Sequence, residues 1–405
     1  MNKFLLTTAL VASFVTSDAS AKLDTSISGS IDTKFANIYQ KEKFRYRNLS
    51  NSTKEKLTNN NIATDTYLNV NVESKIDNGV MYGSFIKLNA NTSNSKKEMF
   101  SHDNEKSSVA EQVMAYIETD YGRVEIGNYT GVTEAMKVNT EAFASATGGI
   151  SGDSQYYWNT NVMERNSNKK IKTRNTFLQT GNLPTNELGT FGIKSTNAAK
   201  INYYSPEFSG FKFGATFVPN DQVYGSTSKT TTIIKDENGF KNIFETSLSY
   251  TSEINDVGLK VAAVGEFAKN QNNDKTNLKA YEIGGHLSYQ GVTLGASYGD
   301  WGKYDIKKSD SNKYGKTNYW TAGVGYANGP FSASITHLQS KKGDAGTSEQ
   351  VFNKLKNTVL GVDYKITSGV SPYVEFSSFK MIQALQVDTN NNKGHALMTG
   401  IKLNF

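Results

Sequence analysis

Polar and apolar residues alternate with a period of two along much of the chain. In the stretch FKFGATF (211–217), every odd position is Phe or Ala and every even position is Lys, Gly or Thr. The same rhythm recurs in VTLGASY (292–298) and, at the end of the chain, in LMTGIKLNF (397–405). A period of two marks a strand with one apolar face. The pattern therefore predicts a chain built almost entirely of β-strands.

The lengths of these segments and of their connections indicate a membrane barrel. The alternation runs for about ten residues, which suits a tilted membrane strand better than the roughly five or six residues of a soluble sheet. Seven short connections rich in Gly, Asn, Asp or Pro alternate with eight long polar ones, so that fifteen connections join sixteen strands. Because open sheet edges cannot face lipid, we expect an all-β, transmembrane antiparallel β-barrel with short periplasmic turns and long external loops.

The N-terminus has the features of an export signal. Lys3 gives a positively charged start, residues 4–15 are apolar or small, and Ala19-Ser20-Ala21 is a small-x-small cleavage site. The mean hydropathy of −0.52 excludes a helical membrane protein. We expect a cleaved signal peptide over residues 1–21 and a barrel domain over residues 22–405, located in the cell outer membrane.

The charge and the rare residue types limit the binding partners and reactions that this chain can be expected to have. The net charge is +6, but the lysines are scattered and form no recurring basic stripe, so no nucleic-acid partner is expected. We expect lysines to meet phosphates of outer-membrane lipids and lipopolysaccharide, or to line the pore. The four histidines lack metal-site spacing, and no nucleophile-elbow or phosphate-loop motif occurs. We therefore expect no catalysis, no metal and no cofactor, with His286 as the one histidine facing the lumen.

Three segments carry a resemblance to the general porins of Gram-negative bacteria. YSPEFSGF (204–211) resembles a turn between two barrel strands of that family, and YGRVEIG (121–127) resembles the strand that leads into its third loop. TGIKLNF (399–405) resembles the last porin strand, whose terminal phenylalanine is recognised by the barrel-assembly machinery; this implies that Phe405 is the assembly signal. The resemblance further implies a homotrimer of sixteen-stranded barrels, each a water-filled channel for passive diffusion of ions and small hydrophilic solutes.

The third long connection, residues 130–198, is the longest, and the resemblance implies that it folds into the lumen as a constriction loop. Its candidate acids are Glu134, Glu141, Asp153 and Glu164. By alternation, the candidate pore-wall residues are Lys34, Lys87, Arg123, Glu125, Lys212 and Lys260. In the family, opposed acidic and basic rows set a transverse field across the constriction. Family pores often carry an arginine cluster on the wall, whereas this chain has five arginines in all, and the mixed wall leaves ion selectivity open.

Two other functions fit the same barrel. A substrate-specific channel would show saturable block of its conductance by one solute. A surface adhesin or structural barrel with a closed lumen would show no conductance. An outer-membrane lipase or protease is disfavoured by the small number of histidines.

Overall fold

Sixteen strands close into one antiparallel barrel, as the alternation predicts. The computed structural model describes residues 23–48, 54–76, 79–91, 110–143, 146–159, 163–165, 171–172, 177–186, 198–221, 239–344, 350–384 and 391–405. The predicted signal peptide lies outside these residues. No helix among them is long and apolar enough to cross a membrane.

The strands and helices have the following bounds. The barrel strands are β1 Asp24–Gln40, β4 Asn60–Lys75, β5 Met81–Asn89, β6 Ala110–Thr119, β7 Gly122–Asn128, β10 Ala199–Tyr204, β11 Phe211–Asn220, β12 Phe240–Ile254, β13 Val257–Asn270, β14 Leu278–Tyr289, β15 Val292–Gly302, β16 Thr317–Asn328, β17 Phe331–Asp344, β18 Val351–Tyr364, β19 Val370–Ile382 and β20 Lys393–Asn404. Short strands in the connections are β2 Tyr46–Asn48, β3 Lys54–Lys56, β8 Met163–Arg165 and β9 Ile171–Lys172. The helix α1 spans Val132–Met136, and 3₁₀ turns span Glu42–Arg45, Thr140–Phe143, Gly149–Ser151, Asp153–Tyr156, Pro184–Asn186 and Lys308–Asp310.

The barrel closes where its first and last strands pair, from Ser30↔Asn404 to Gln40↔Gly394. Phe405 extends this ladder: the Gly29 amide donates to the Phe405 carbonyl at 2.8 Å, and the Phe405 amide donates back at 3.1 Å. The Phe405 ring lies over Gly29, where a Cβ atom would sit 2.6 Å from Phe405 Cζ. Closure satisfies the backbone groups that an open edge would leave unpaired in lipid.

Each strand presents an apolar face outward. On β14 the outward residues include Tyr281, Ile283 and Leu287, which are 51–57% exposed, whereas inward-facing Glu282 is 2% exposed. Large hydrophobic side chains are exposed in the same way around the barrel. Such a surface is stable only against lipid or another apolar surface.

The seven short turns lie at one end of the barrel and the other eight connections, seven of them longer than any of these turns, lie at the opposite end, which confirms the predicted asymmetry. The two-residue turn between β12 and β13 places Asn255 and Asp256 at positive φ, as a tight hairpin requires. One boundary differs from expectation. The polarity of residues 341–353 predicts one of the eight long connections there, but β17 and β18 remain paired as far as Asp344↔Val351. Polar residues continue these strands past the apolar belt.

Parts of two long connections form a small sheet of their own, in the order β3-β2-β8-β9. Its central contact is a parallel pairing of β2 with β8, in which Asn48 lies opposite Glu164. The pairing joins segments more than a hundred residues apart, and neither segment alternates clearly, so it could not be predicted from the sequence.

Candidate functional site

We call the connection between β7 and β10, residues 130–198, the inner loop; its described residues 130–143, 146–159 and 177–186 fold into the barrel, as predicted. Asn202 of β10 donates to the Thr130 carbonyl at 2.8 Å, near the start of the inner loop. Midway, the ring nitrogen Nε2 of His286 on β14 lies 2.6 Å from the Asn139 carbonyl. Further on, the Asn159 amide donates to Gln40 on β1 at 3.0 Å. The described part of the loop therefore follows the inner wall from β10 round to β1.

Threonines of the inner loop bind buried glutamates on the wall. The amide and the hydroxyl of Thr133 both donate to Glu245 on β12, at 3.2 and 2.8 Å. Thr147 does the same to Glu375 on β19, at 3.3 and 2.7 Å. The Thr185 amide donates to Glu266 on β13 at 3.1 Å, and its hydroxyl bonds the same carboxylate.

These three glutamates are at most 1% exposed. A buried carboxylate is costly unless it accepts hydrogen bonds, so each glutamate requires its loop threonine. We call these contacts the Thr–Glu clamps.

Small residues on the inner wall allow the loop backbone to approach closely. Gly284 of β14 lies against the Val138 carbonyl, which occupies the space where a Cβ would stand. On β16, a Cβ at Gly325 would lie 3.1 Å from the Cβ of Phe143. A larger side chain at Gly284 would displace the loop backbone toward the lumen.

A hydrophobic core lies inside the barrel, between the inner loop and the wall. Trp158 and Phe177 of the loop are at most 1% exposed, and Trp158 packs edge-on against Phe379 of β19 with ring centroids 4.5 Å apart. Ile150 and Leu178 extend the loop side of this core. The wall side includes Val218, Ile243, Leu278, Trp301, Tyr319, Leu338, Leu355 and Met381. One part of the barrel interior is therefore filled with packed side chains.

Lys34 joins the inner loop to β1. Its ammonium is 2.9 Å from Asp32 and 3.0 Å from Asp65 on β4, and it also pairs with Asp153 of the loop. The Lys34 side chain is 1% exposed. The Tyr373 hydroxyl donates to Asp32 at 2.8 Å. A lysine buried among three carboxylates holds Asp153, and with it the loop, against the wall.

The other loop acids pair within the loop. The Lys137 ammonium lies 2.7 Å from Glu134 and 2.9 Å from Glu141. Burial lowers the pKa of Lys137, but Glu141 and Glu134 outweigh burial and raise this pKa above its ordinary value, so the amine stays charged. The Glu134 side chain is 32% exposed and Glu141 is 18% exposed. Glu164 lies in β8, in the small sheet β3-β2-β8-β9; its side chain falls outside the described structure.

The wall formed by β5, β6 and β7 carries polar side chains with access to water. The Arg123 guanidinium donates to Glu125 at 2.8 Å and to Glu118 at 3.3 Å, and it stacks 3.8 Å from the ring centroid of Tyr116. The Arg123 side chain is 30% exposed and Glu118 is 42% exposed, whereas Glu125 is buried.

Lys87 on β5 repeats this arrangement. Its ammonium is 3.1 Å from Glu111 and 4.2 Å from the ring centroid of Tyr67, and the side chain is 27% exposed. Both cations on this wall are therefore held by a carboxylate and an aromatic ring while remaining in contact with water.

The last two wall candidates lie nearer the short turns. Lys212 on β11 is exposed, with its ammonium 5.6 Å from the ring centroid of Tyr204. Lys260 on β13 is exposed beside His286, which faces the inner loop. Neither lies with the paired acids of the inner loop.

Neither the Thr–Glu clamps nor the core inside the barrel was predicted from the sequence. Glutamates at inward positions could be read from alternation, but their threonine partners lie in a loop without periodicity. The core did leave a signal: on β13, Ala262 and Val264 put apolar residues on the inward face as well. A strand that is apolar on both faces predicts burial on both sides.

Comparison with known proteins places the chain in a family. Its sequence matches the Gram-negative porin family over residues 7–381. The chain belongs to this family. The family and the fold are those of an outer-membrane channel.

Relatives and solved structures agree with this assignment. An uncharacterized protein of Rickettsia conorii is 27% identical over 72% of this porin and 75% of its own length. A major outer membrane protein of Pasteurella multocida is 26% identical over 54% of this chain and 57% of its own. Among solved structures, an anion-selective porin from Comamonas acidovorans has a TM-score of 0.57 at 13% identity, covering 95% of this porin and 100% of that chain. At that identity the likeness concerns the fold alone.

The burial of Lys34 generates a stability prediction. Lys34→Met would leave three carboxylates without their cation, and we expect it to lower the free energy of unfolding of this porin by about 3–5 kcal/mol. Lys87→Met, the matched control, removes a partly exposed lysine with one acidic partner and should cost less than about 1 kcal/mol. Guanidinium unfolding in detergent, followed by tryptophan fluorescence, measures both. Equal losses for the two variants would contradict the anchoring role of Lys34.

Proposed function

We propose that this porin is a water-filled channel for the passive diffusion of ions and small hydrophilic solutes, with its path along the inner face of β5–β7. The observation that carries the proposal is the contrast between two parts of the wall. On β5–β7 the charged side chains Lys87, Glu118 and Arg123 are 27–42% exposed. Where the inner loop contacts β12–β19, it covers the inner face, and Glu266 and Glu375 are fully buried there. Water and solutes would pass on the uncovered side.

The charges beside this path are mixed in sign. Arg123 stands between two glutamates, and Lys87 stands beside Glu111. On the inner loop, Glu134 shares Lys137 with Glu141. Because each cation has an acidic partner nearby, the net field felt by a passing ion is small. We propose a channel selected mainly by size, with weak ion preference.

Planar-bilayer recording tests the channel itself. The purified porin should give steady conductance steps, and the absence of steps would favour a structural barrel with a closed lumen. If one solute blocks the conductance steps in a saturable manner, the result would favour a substrate-specific channel.

Reversal potentials under a salt gradient test the position of the path. Arg123→Gln should shift selectivity toward cations, and the paired variant Glu118→Gln should shift it toward anions. An ion passing about 8 Å away in water feels roughly 0.5 kcal/mol from one charge, so its local concentration changes about twofold. Lys365→Gln, on an exposed turn outside the lumen, is the control. If both lumen variants leave the reversal potential unchanged, the path lies elsewhere.

We also propose export, assembly and trimer formation on the family pattern. Strand β1 begins at Asp24, directly after the proposed cleavage site. Phe405, which closes the barrel against Gly29 and is 63% exposed, is the proposed signal for the assembly machinery. A trimer form is named for one porin of similar fold, the outer membrane protein OmpT of Vibrio cholerae, with a TM-score of 0.55. The exposed residues Ile27 and Phe35 of β1 suit such a contact.

The trimer proposal predicts an oligomer that survives gentle extraction. In mild detergent the porin should migrate as a species of three subunits, which heating converts to the monomer. Ile27→Lys, placed on the outer face of β1, should weaken this species, whereas Ile283→Lys on the far side of the barrel should not. Recovery of monomer alone under gentle extraction would contradict the trimer.

A further inference from the structure

Outward-facing lysines form a band at the loop end of the barrel. They are Lys241, Lys269, Lys279, Lys341, Lys354, Lys356, Lys380 and Lys393, all exposed. Several lie directly opposite one another across the sheet, as in Lys341↔Lys354, Lys356↔Lys380 and Lys380↔Lys393. Like charges in such positions repel and destabilise the sheet. An anion between them would remove the repulsion.

A cleft opens outward within this band, at the ends of β13–β16. Its volume is about 450 Å³, and three lysines line it: Lys279, Lys303 and Lys316. Lys303 donates to the Ser311 carbonyl at 2.8 Å, which fixes its position. In the part of the chain that the structure describes, Lys279 and Lys316 form no ion pair. The acid in the lining, Asp300, is 8% exposed and accepts from the Gly302 amide at 2.6 Å.

Aromatic residues lie directly on the membrane side of the cleft. Phe267 and Tyr281 belong to its lining, and Tyr281 contacts Tyr298 of the next strand with ring centroids 6.5 Å apart. Aromatic rings of this kind are typical of the layer between lipid headgroups and acyl chains. The three lysines therefore stand at the height of the headgroups.

Below the aromatic residues, the same strands form an apolar groove on their outer face. The groove measures about 790 Å³, and small residues provide its floor: Gly285 of β14, Ala296 of β15 and Ala322 of β16. Leu287, Leu294 and Val324 line its sides. Gly285 lies six positions after Lys279 on β14, about 20 Å along the strand. An extended acyl chain reaches from the cleft to the groove.

We propose that this face binds one anionic membrane lipid, with its phosphate between Lys279, Lys303 and Lys316 and an acyl chain in the groove below. The face is complementary to such a lipid because a positively charged cleft, an aromatic layer and an apolar groove follow one another along the same strands. A second copy of the chain would bring lysine bands of equal charge together. The face also lies across the barrel from β1, where the trimer contact is proposed, so it stays open to lipid in a trimer. The inference rests on the membrane placement of the proposed function.

Native mass spectrometry of the intact porin in detergent tests the proposal with dioleoylphosphatidylglycerol as the probe. We expect one retained lipid per subunit, and weaker retention of dioleoylphosphatidylcholine, which has no net charge. Lys279→Gln combined with Lys316→Gln should weaken retention by about tenfold or more, since each lysine near a membrane surface contributes severalfold to anionic lipid binding. Lys365→Gln combined with Lys75→Gln, at the turn end, is the charge control and should change nothing.

The groove has its own variant and control. Ala322→Leu would fill the floor and should release the lipid, whereas Ala333→Leu, an outward position outside the groove lining, should not. Equal retention of the two lipids, or no effect of the lysine pair, would overturn the proposal. Displacement of the lipid by inorganic phosphate alone would also overturn the proposal, because it would show that binding depends on the phosphate and not on the acyl chain. The bilayer conductance of the same variants should remain that of the native porin. If the native porin itself gives no conductance steps, the channel proposal is overturned and the lipid site is not.

Discussion

The structure depends on one constraint: no backbone hydrogen-bonding group can be left unpaired in hydrocarbon. That constraint requires closure, and the pairing of β1 with β20, extended to Gly29 and Phe405, provides it. Closure then fixes which residues face lipid and which face the lumen, because side chains alternate along every strand. Everything inside the barrel has to be stabilised by water, by other side chains or by the inner loop.

The inner loop divides the interior into two unlike parts. From β10 round to β1 it covers the wall through the Thr–Glu clamps, the packed core around Trp158 and the charges around Lys34. These contacts differ in chemistry, but each requires the loop to satisfy a wall group that would be costly to bury alone. The wall of β5–β7 keeps its charged residues in contact with water, and there the interior can serve as a path. In the proposed channel, a loop held by buried charge and packing at many points narrows the pore without blocking it.

Much of this architecture could be predicted from the sequence. Alternation and the asymmetry of the connections predicted sixteen strands. This was possible because the period of a strand and the residue types of a turn are local features, which adjacent residues determine. Inward positions such as Lys34, Arg123 and Glu125 followed from the same alternation. The partners of these residues could not be predicted, because Asp153 and Thr147 lie in a long loop whose course depends on contacts distant in sequence. The apolar inner face was visible at Val264 but had no explanation until Ile150, Trp158 and Phe177 were placed against that wall.

The central claim is that water reaches the wall of β5–β7 and not the wall beneath the inner loop. The chain contains no cysteine, so a single introduced thiol reports on one position. Lys87→Cys places the thiol on the uncovered wall, and Ser340→Cys places it on β17, where the Ser340 hydroxyl donates to the Leu178 carbonyl of the loop at 2.5 Å. A water-soluble, positively charged methanethiosulfonate added during bilayer recording should lower the conductance of Lys87→Cys and leave Ser340→Cys unchanged. A drop in conductance for Ser340→Cys with none for Lys87→Cys would contradict the account.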